Sequence, residues 1–264
     1  MPFVPSKDGT RIGYSVTGTG PVIVLVDGAL CYRTSGPMGP ISAQLKDRFT
    51  VVTYDRRGRG ESGDTKPYDP QREIEDLGAV IDANGGTAAL FAISSGVVLA
   101  LATADATPEK ISKMVLYEAP LLTDDTRHAD PAYAATMYAL VDRGDTVGAV
   151  KHFLGAGVGV PRYAMFMMGL FGLFRKLASI GATLAYDTRI IMPYWTNSPP
   201  PKTAWAHATM PILAIGGGKS DPWMQNAQVN IAKALPNATH KTLPGQNHMV
   251  SAAAIAPMIK AFAA

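Results

Sequence analysis

The fold is decided by residues 88–102, which read Ala-Ala-Leu-Phe-Ala-Ile-Ser-Ser-Gly-Val-Val-Leu-Ala-Leu-Ala. The first half is an apolar run typical of a buried strand, and the second half has the apolar pattern of a helix. Ser94 stands at the junction, with the small residues Ala92 and Gly96 two positions before and after it. A strand that reverses sharply into a helix brings those two positions together and leaves the serine hydroxyl at the tip. The pattern therefore predicts a strand-turn-helix unit that presents Ser94 as a nucleophile.

Other apolar runs of strand length surround this unit. They are Thr10–Thr17, Val22–Val26, Phe49–Tyr54, Met114–Tyr117 and Ile212–Ile215. Helical patterns alternate with most of them, as over Ile41–Arg48 and Arg72–Ala83. Continuous apolar runs are typical of strands buried on both faces, and their alternation with helices favours parallel pairing. The sequence predicts an α/β fold, a doubly wound and mostly parallel sheet with helices on both faces.

This alternation stops in the segment 123–203, which is rich in Met, Phe, Tyr and Gly. We expect that segment to be a helical cap inserted into a core formed by residues 1–122 and 204–264. Its longest apolar run, Tyr163–Phe174, spans 12 residues, too few to cross a bilayer as a helix. The run is interpreted as a helix that lines or covers an apolar pocket.

Within that run, Met165 and Phe166 are candidates for contact with a substrate. Buried methionine and aromatic side chains most often serve packing alone. They also suit the walls of a site for an apolar, irregular ligand, so both roles stay open.

Composition limits the classes of function. The 264 residues are 47% hydrophobic and 17% charged, and the net charge of +3 is scattered along the chain. Nothing here predicts a nucleic acid or an anionic membrane as partner. Cys31 is the only cysteine, which excludes an internal disulfide and a cysteine-based metal cluster. With no signal-peptide pattern in the first residues, we expect a cytoplasmic protein.

Four blocks of the chain resemble the α/β-hydrolase superfamily, in its esterase- or lactonase-like form. They are Val24–Ala29, Tyr54–Ser62, Ala92–Gly96 and Leu243–His248. The resemblance implies an enzyme without cofactor or metal, in which the catalytic residues follow the chain order Ser, acid, His. Ser94 and His248 fit the first and last places. His248 would take the proton of the Ser94 hydroxyl and later pass it to the leaving group.

Two carboxylates compete for the place of the acid. Many relatives have an Asp nine residues after the Pro that opens a late strand, but here that position is Ser220 and the Asp is Asp221. Asp221 would also suit the cap of a following helix. Glu118 ends the strand after the Ser94 helix, which is where some superfamily members place their acid. We favour Glu118, since an unpaired Glu would be costly to bury there.

The resemblance also implies an oxyanion hole made by the backbone N–H of Ser95 and one from the loop at Gly28 and Ala29. Asp27 replaces the usual His before that Gly. It is a candidate for binding a substrate hydroxyl or water, or for capping the loop. The charged turn at residues 55–59 is interpreted as structural.

The sequence thus predicts a serine hydrolase that acts on an ester, lactone or similar acyl bond of a hydrophobic small molecule. Asp27 leaves room for a second hypothesis, a non-hydrolytic lyase, cyclase or cofactor-free oxygenase acting on a natural product. A third is a ligand-binding receptor with little turnover. Fold and catalytic residues alone do not identify a substrate.

Overall fold

The computed structural model describes residues 2–264, and its centre is one eight-stranded sheet in the order β1-β2-β4-β3-β5-β6-β7-β8. The strands are β1 Phe3–Pro5, β2 Arg11–Thr17, β3 Val22–Val26, β4 Thr50–Tyr54, β5 Ala88–Ile93, β6 Ile111–Tyr117, β7 Ile212–Gly217 and β8 Ala238–Leu243. Only the pairs β1-β2 and β2-β4 are antiparallel. The doubly wound α/β fold predicted from the sequence is confirmed.

Helices cover both faces of this sheet. The core helices are α1 Met38–Leu45, α2 Pro70–Asp82, α3 Ser95–Ala106, α9 Pro222–Ala234 and α10 Ala252–Ala263. Alternate residues of a strand point to opposite faces. Accordingly Val24 joins an apolar cluster with residues of α2, α3 and α9, whereas Leu25 joins a second cluster with residues of α1 and α10. Both faces are therefore buried, as the apolar strands require.

Between β6 and β7 the described chain adds no strand to the sheet and forms helices joined by loops. The helices there are α4 Tyr133–Asp142, α5 Thr146–His152, α6 Arg162–Leu170, α7 Leu173–Leu177 and α8 Leu184–Ile191, with a π-helical turn at Phe153–Val158. Residues of α4, α5, α7 and α8 share a third apolar cluster with Leu30 of the core. We call 123–203 the cap, and its boundaries with the core stay a prediction.

Details at the edges were not foreseen. β1 was missed because three residues are too few for a recognisable alternation. β8 shows little apolar alternation, because it lies at the edge of the sheet and most of its residues are not buried. α2 starts at Pro70, where Asp69 caps the helix by accepting a hydrogen bond from Gln71 N at 2.8 Å. No helix within residues 2–264 is long and apolar enough to cross a membrane.

Candidate active site

Ser94 lies on a strained turn between β5 and α3. Its backbone has φ 57° and ψ −132°, a region that non-glycine residues rarely occupy. A Cβ at Gly96 would come within 2.6 Å of the carbonyl oxygens of Val26 and Asp27, so only glycine fits there. Ala92 is fully buried. Strain of this kind is common at functional sites, and it holds the hydroxyl of Ser94 at the carboxyl edge of the sheet.

Glu118 occupies a second strained position, directly after β6. Its φ is 51° and its side chain is fully buried. One carboxylate oxygen, Oε2, accepts a hydrogen bond from His248 Nδ1 at 2.9 Å. The other, Oε1, accepts one from the backbone N–H of Gly217 at 2.7 Å. A buried carboxylate must be paired and hydrogen-bonded, and Glu118 has partners on both oxygens.

Ser220 is a residue of the site that the sequence reasoning did not assign. Its hydroxyl donates a hydrogen bond to Glu118 Oε1. Ser220 occupies the position where many relatives have the acid, so the chain keeps a polar group there but supplies the carboxylate from the end of β6. The presence of a serine at that position is the signal that could have found this contact.

Asp221, the rival acid, lies one residue further and is exposed. It stands at the N-cap position of α9, but its side chain accepts no cap hydrogen bond. Of the two carboxylates, the one hydrogen-bonded to His248 is Glu118.

The loop that carries His248 is fixed against β6 and β7. The hydroxyl of Tyr117 donates to the carbonyl of Asn247 at 2.6 Å. A Cβ at Gly217 would lie 2.6 Å from the carbonyl oxygen of Gln246, which explains the glycine at the end of β7. Within residues 2–264 no hydrogen bond joins Ser94 Oγ to His248, although both residues line the same pocket. Such contacts are often long before a substrate binds.

The loop of Gly28 and Ala29 faces the turn at Ser94. A Cβ at Gly28 would lie 2.8 Å from the Cβ of Ser94, so the close approach requires glycine. Ala29 lines the pocket and Ser95 is the first residue of α3. The N-terminus of a helix carries free N–H groups and a partial positive charge, which suits an oxyanion. The structure thus brings the residues of the predicted oxyanion hole together at one edge of the pocket, and their role as donors stays a prediction.

Asp187 of the cap helix α8 reaches under this loop, a contact that the sequence did not predict. The hydroxyl of Ser95 donates to its Oδ1 at 2.7 Å. Arg56 donates to the same oxygen at 2.8 Å, and Arg59 to Oδ2 at 2.5 Å. Arg59 also donates to the carbonyl of Gly28 at 2.6 Å. One carboxylate of the cap is therefore linked to Ser95 directly and to Gly28 through Arg59, the two sides of the predicted oxyanion hole.

The other charges of the turn at residues 55–59 are paired, as the structural interpretation expected. Asp55 accepts hydrogen bonds from the backbone N–H groups of Arg33 and Glu61 at 2.8 and 3.0 Å. Arg57 is paired with Asp76 at 2.7 Å. Two of the arginines, however, also support the oxyanion loop, which that interpretation did not include.

Asp27 lies behind the oxyanion loop and does not line the pocket. It accepts a hydrogen bond from the Gly28 N–H at 3.2 Å. Burial raises the pKa of Asp27 to about 7, against the opposing effect of the nearby Arg59. This placement fits the loop cap rather than a substrate contact.

The pocket in front of Ser94 has a volume of about 280 Å³, at the small end of the range for ligand sites. Its apolar walls come from Tyr133, Phe153, Ile191, Trp195, Trp223 and Met224. Trp195 is fixed by a hydrogen bond from its Nε1 to the carbonyl of Pro120 at 2.6 Å. In residues 2–264 no group of three His, Cys, Asp or Glu side chains is placed to hold a metal ion.

Met165 and Phe166 do not line this pocket. They line a separate groove on the outer side of the cap, beside Lys151 and Leu170. Their helix α6 packs on the far side of the cap, which the periodicity of the sequence did not reveal. As candidates for contact with the substrate of Ser94 they are therefore withdrawn.

Comparison with known proteins agrees with this geometry. Residues 18–260 match the model of the alpha/beta hydrolase family. The chain belongs to that family. The crystal structure of an alpha/beta hydrolase from Sphaerobacter thermophilus DSM 20745 is 38% identical, covers 99% of both chains and superposes with a TM-score of 0.89.

More distant relatives add less. The chain is 31% identical over 118 residues to the uncharacterized hydrolase YraK of Bacillus subtilis (strain 168), a match that spans only 43% of each protein. The enol-lactonase from Burkholderia xenovorans LB400 is 20% identical over 94% of this chain and 93% of its own, with a TM-score of 0.67. At that identity the likeness is one of fold. The hydrolase names among the full-length and partial relatives support a hydrolase.

Proposed function

We propose that the protein is a cofactor-independent serine hydrolase that cleaves an ester, lactone or similar acyl bond of a hydrophobic small molecule. The observation that carries the proposal is the 2.9 Å hydrogen bond between His248 and the buried Glu118, in a pocket that Ser94 also lines. A carboxylate in that position fixes the imidazole ring and stabilises its protonated form. The aromatic walls and small volume of the pocket favour a compact apolar substrate.

The reaction would run through an acyl-enzyme. Ser94 Oγ attacks the carbonyl carbon while His248 Nε2 takes its proton, and the imidazolium donates through Nδ1 to Glu118. The backbone N–H groups of Ser95 and Ala29 donate to the oxyanion. His248 then protonates the leaving oxygen as its bond to the acyl carbon breaks. Water, deprotonated by His248, attacks the acyl carbon of the acyl-enzyme. As the bond to Ser94 Oγ breaks, His248 returns the proton to that oxygen, which releases the acid and restores the free serine.

The two other hypotheses from the sequence gain no support. The non-hydrolytic alternative rested on Asp27, which is buried away from the pocket and bonded to the oxyanion loop. A receptor with little turnover has no need for a buried Glu118 paired to His248. Running the reaction in ¹⁸O-labelled water distinguishes hydrolysis from the alternatives. Hydrolysis must place an oxygen atom from the solvent in the acid product.

The nucleophile is tested by labelling with a fluorophosphonate probe. We expect the wild type to be labelled and Ser94→Ala to remain unlabelled, because the probe phosphonylates an activated serine. Ser179→Ala is the matched control, since it removes the hydroxyl of an exposed serine of the cap that does not line the pocket. Equal labelling of wild type and Ser94→Ala, or no labelling of either, would contradict the proposal.

The acid is tested by comparing Glu118→Gln with Asp221→Asn in the turnover of a generic ester. We expect Glu118→Gln to lower kcat on the order of 10⁴-fold, because a neutral amide holds the wrong imidazole tautomer. Asp221→Asn should change kcat less than tenfold. The reverse order of the two losses would show that Asp221 serves His248.

A further inference from the structure

The cap helix α6 is apolar on all sides after its first residue, Arg162, yet contains no buried residue. The side chains of Tyr163, Phe166, Leu170 and the following Phe171 are 76%, 68%, 65% and 80% exposed. They recur at helical spacing and so form one outer face. The opposite side, through Met165, packs on the apolar cluster of the cap. A helix that is hydrophobic all round is normally covered on every side, so the outer face calls for a partner.

The charges around this face have one sign. Residues 146–186 contain no Asp or Glu. They contain four cationic side chains, Lys151, Arg162, Arg175 and Lys176, and all of them are exposed. Lys151 and the first residue of α6, Arg162, line the groove at this helix, and Arg175 and Lys176 lie on α7 directly after it. We call the exposed apolar residues of α6 with these cations the cap face.

The charge pattern selects among the possible partners. A second copy of the chain would meet the cap face with the same face in a two-fold contact, which would bring like charges together. An anionic lipid surface offers both complements, a negative layer for the cations and an apolar layer for the aromatic and leucine side chains. We propose that the cap face docks on anionic membrane surfaces. This departs from the expectation of no membrane partner, which rested on charge counted along the chain.

The cap face lies next to the pocket of Ser94, so a membrane bound there would be close to the site. The turn Phe153–Val158 connects the two, since Gly155 lines the groove of α6 while Gly157 and Val158 line the pocket of Ser94. Val158 and Met249, both exposed, extend the apolar surface to the pocket entrance. If the proposed hydrolase function holds, the enzyme would take up hydrophobic substrates dissolved in the membrane.

The test is co-sedimentation with vesicles of phosphatidylcholine alone and of phosphatidylcholine with phosphatidylglycerol. It uses the Ser94→Ala protein, so the result does not depend on catalysis and can fail or succeed separately from the proposed chemistry. We expect binding to the anionic vesicles at least tenfold tighter than to the neutral ones, and weaker binding at high salt.

Two patch variants and one control complete the design. Phe166→Ser/Phe171→Ser and Arg162→Gln/Arg175→Gln/Lys176→Gln should each lose at least tenfold in binding. Lys46→Gln/Arg48→Gln/Lys233→Gln, which removes three exposed cations of the core, should lose less than threefold. Circular dichroism establishes that the variants are folded.

Three results would overturn the proposal. They are an absence of sedimentation with both vesicles, patch variants that bind like the control, and a dimer in light scattering that dissociates in Phe166→Ser/Phe171→Ser. The last result would show that a second copy covers the cap face.

Discussion

The cap contains two helices of similar length that behave in opposite ways. α8 carries the charged residues Asp187 and Arg189, yet most of it is buried. α6 has a single charged residue, Arg162, yet none of it is buried. Hydropathy alone would predict that α6 is buried and α8 exposed. The comparison teaches that α8 is held by specific charge pairs beneath it, whereas the outer face of α6 has no partner within residues 2–264.

The pairs under α8 explain how a charge can be buried there. Burial opposes ionisation of Asp187, but the charges of Arg59 and Arg56 outweigh it and lower the pKa of its carboxyl. Arg56 is further bonded to Glu73 at 2.6 Å. Buried ions are tolerated when each has a partner, and removing one member leaves the others uncompensated. α8 is therefore the part of the cap that the core holds in place.

Of the changes that compare these parts of the cap and core, the largest effect on stability is expected when this anchor is broken. Asp187→Ala should lower the free energy of unfolding by about 3–5 kcal/mol, because Arg59 loses its carboxylate partner while still buried. It should also lower kcat by about 10²-fold, since the oxyanion loop loses its support. Urea denaturation and ester turnover measure both. Asp142→Asn, an exposed change in α4, is the control, and a similar loss there or none in Asp187→Ala would contradict the anchor.

The next prediction concerns the pH dependence of stability and compares two buried aspartates whose pKa values shift in opposite directions. Asp27 lacks the double arginine pairing of Asp187, and burial raises its pKa from 3.8 to about 7. Between those values the folded protein holds a proton that the unfolded chain releases, so stability falls as pH rises. As pH rises through this range, we expect the free energy of unfolding of the wild type, relative to that of Asp27→Asn, to fall by about 1.4 kcal/mol per pH unit.

Urea denaturation at several pH values between 4 and 7 measures this difference. Asp142→Asn serves again as the control and should track the wild type. If the difference in free energy of unfolding between wild type and Asp27→Asn stays constant with pH, Asp27 is already ionised in the folded protein. The guanidinium groups under α8 would then stabilise its charge as well as that of Asp187.

The smallest effect is expected on α6. Leu170→Gln should change the free energy of unfolding by no more than about 0.5 kcal/mol, because its side chain is already 65% exposed in the folded protein. Leu184→Ala, at a fully buried position of α8, should cost about 2–5 kcal/mol. Thermal melts of the two variants provide the comparison. A loss of more than 1 kcal/mol in Leu170→Gln would show that α6 is covered in solution.

Much of the site could be predicted because its parts follow from local sequence. Ser94 between small residues dictates the turn, and Glu118 at the end of an apolar strand is a charge that needs a partner. Ser220 and Asp187 could not be predicted in the same way. Their contacts with Glu118 and Ser95 join segments about 100 residues apart, and hydrogen bonds over such distances leave no periodicity in the sequence.

The sequence by itself determined the sheet, the order of its helices and the place of Ser94 on its sharp turn, because buried strands and sharp turns impose local patterns of apolar and small residues. Tertiary structure alone decided which carboxylate meets His248, which cap helix faces the core, and that Met165 and Phe166 lie outside the pocket. These depend on the packing of distant segments, which brings Asp187 to two arginines and leaves the apolar α6 on the surface.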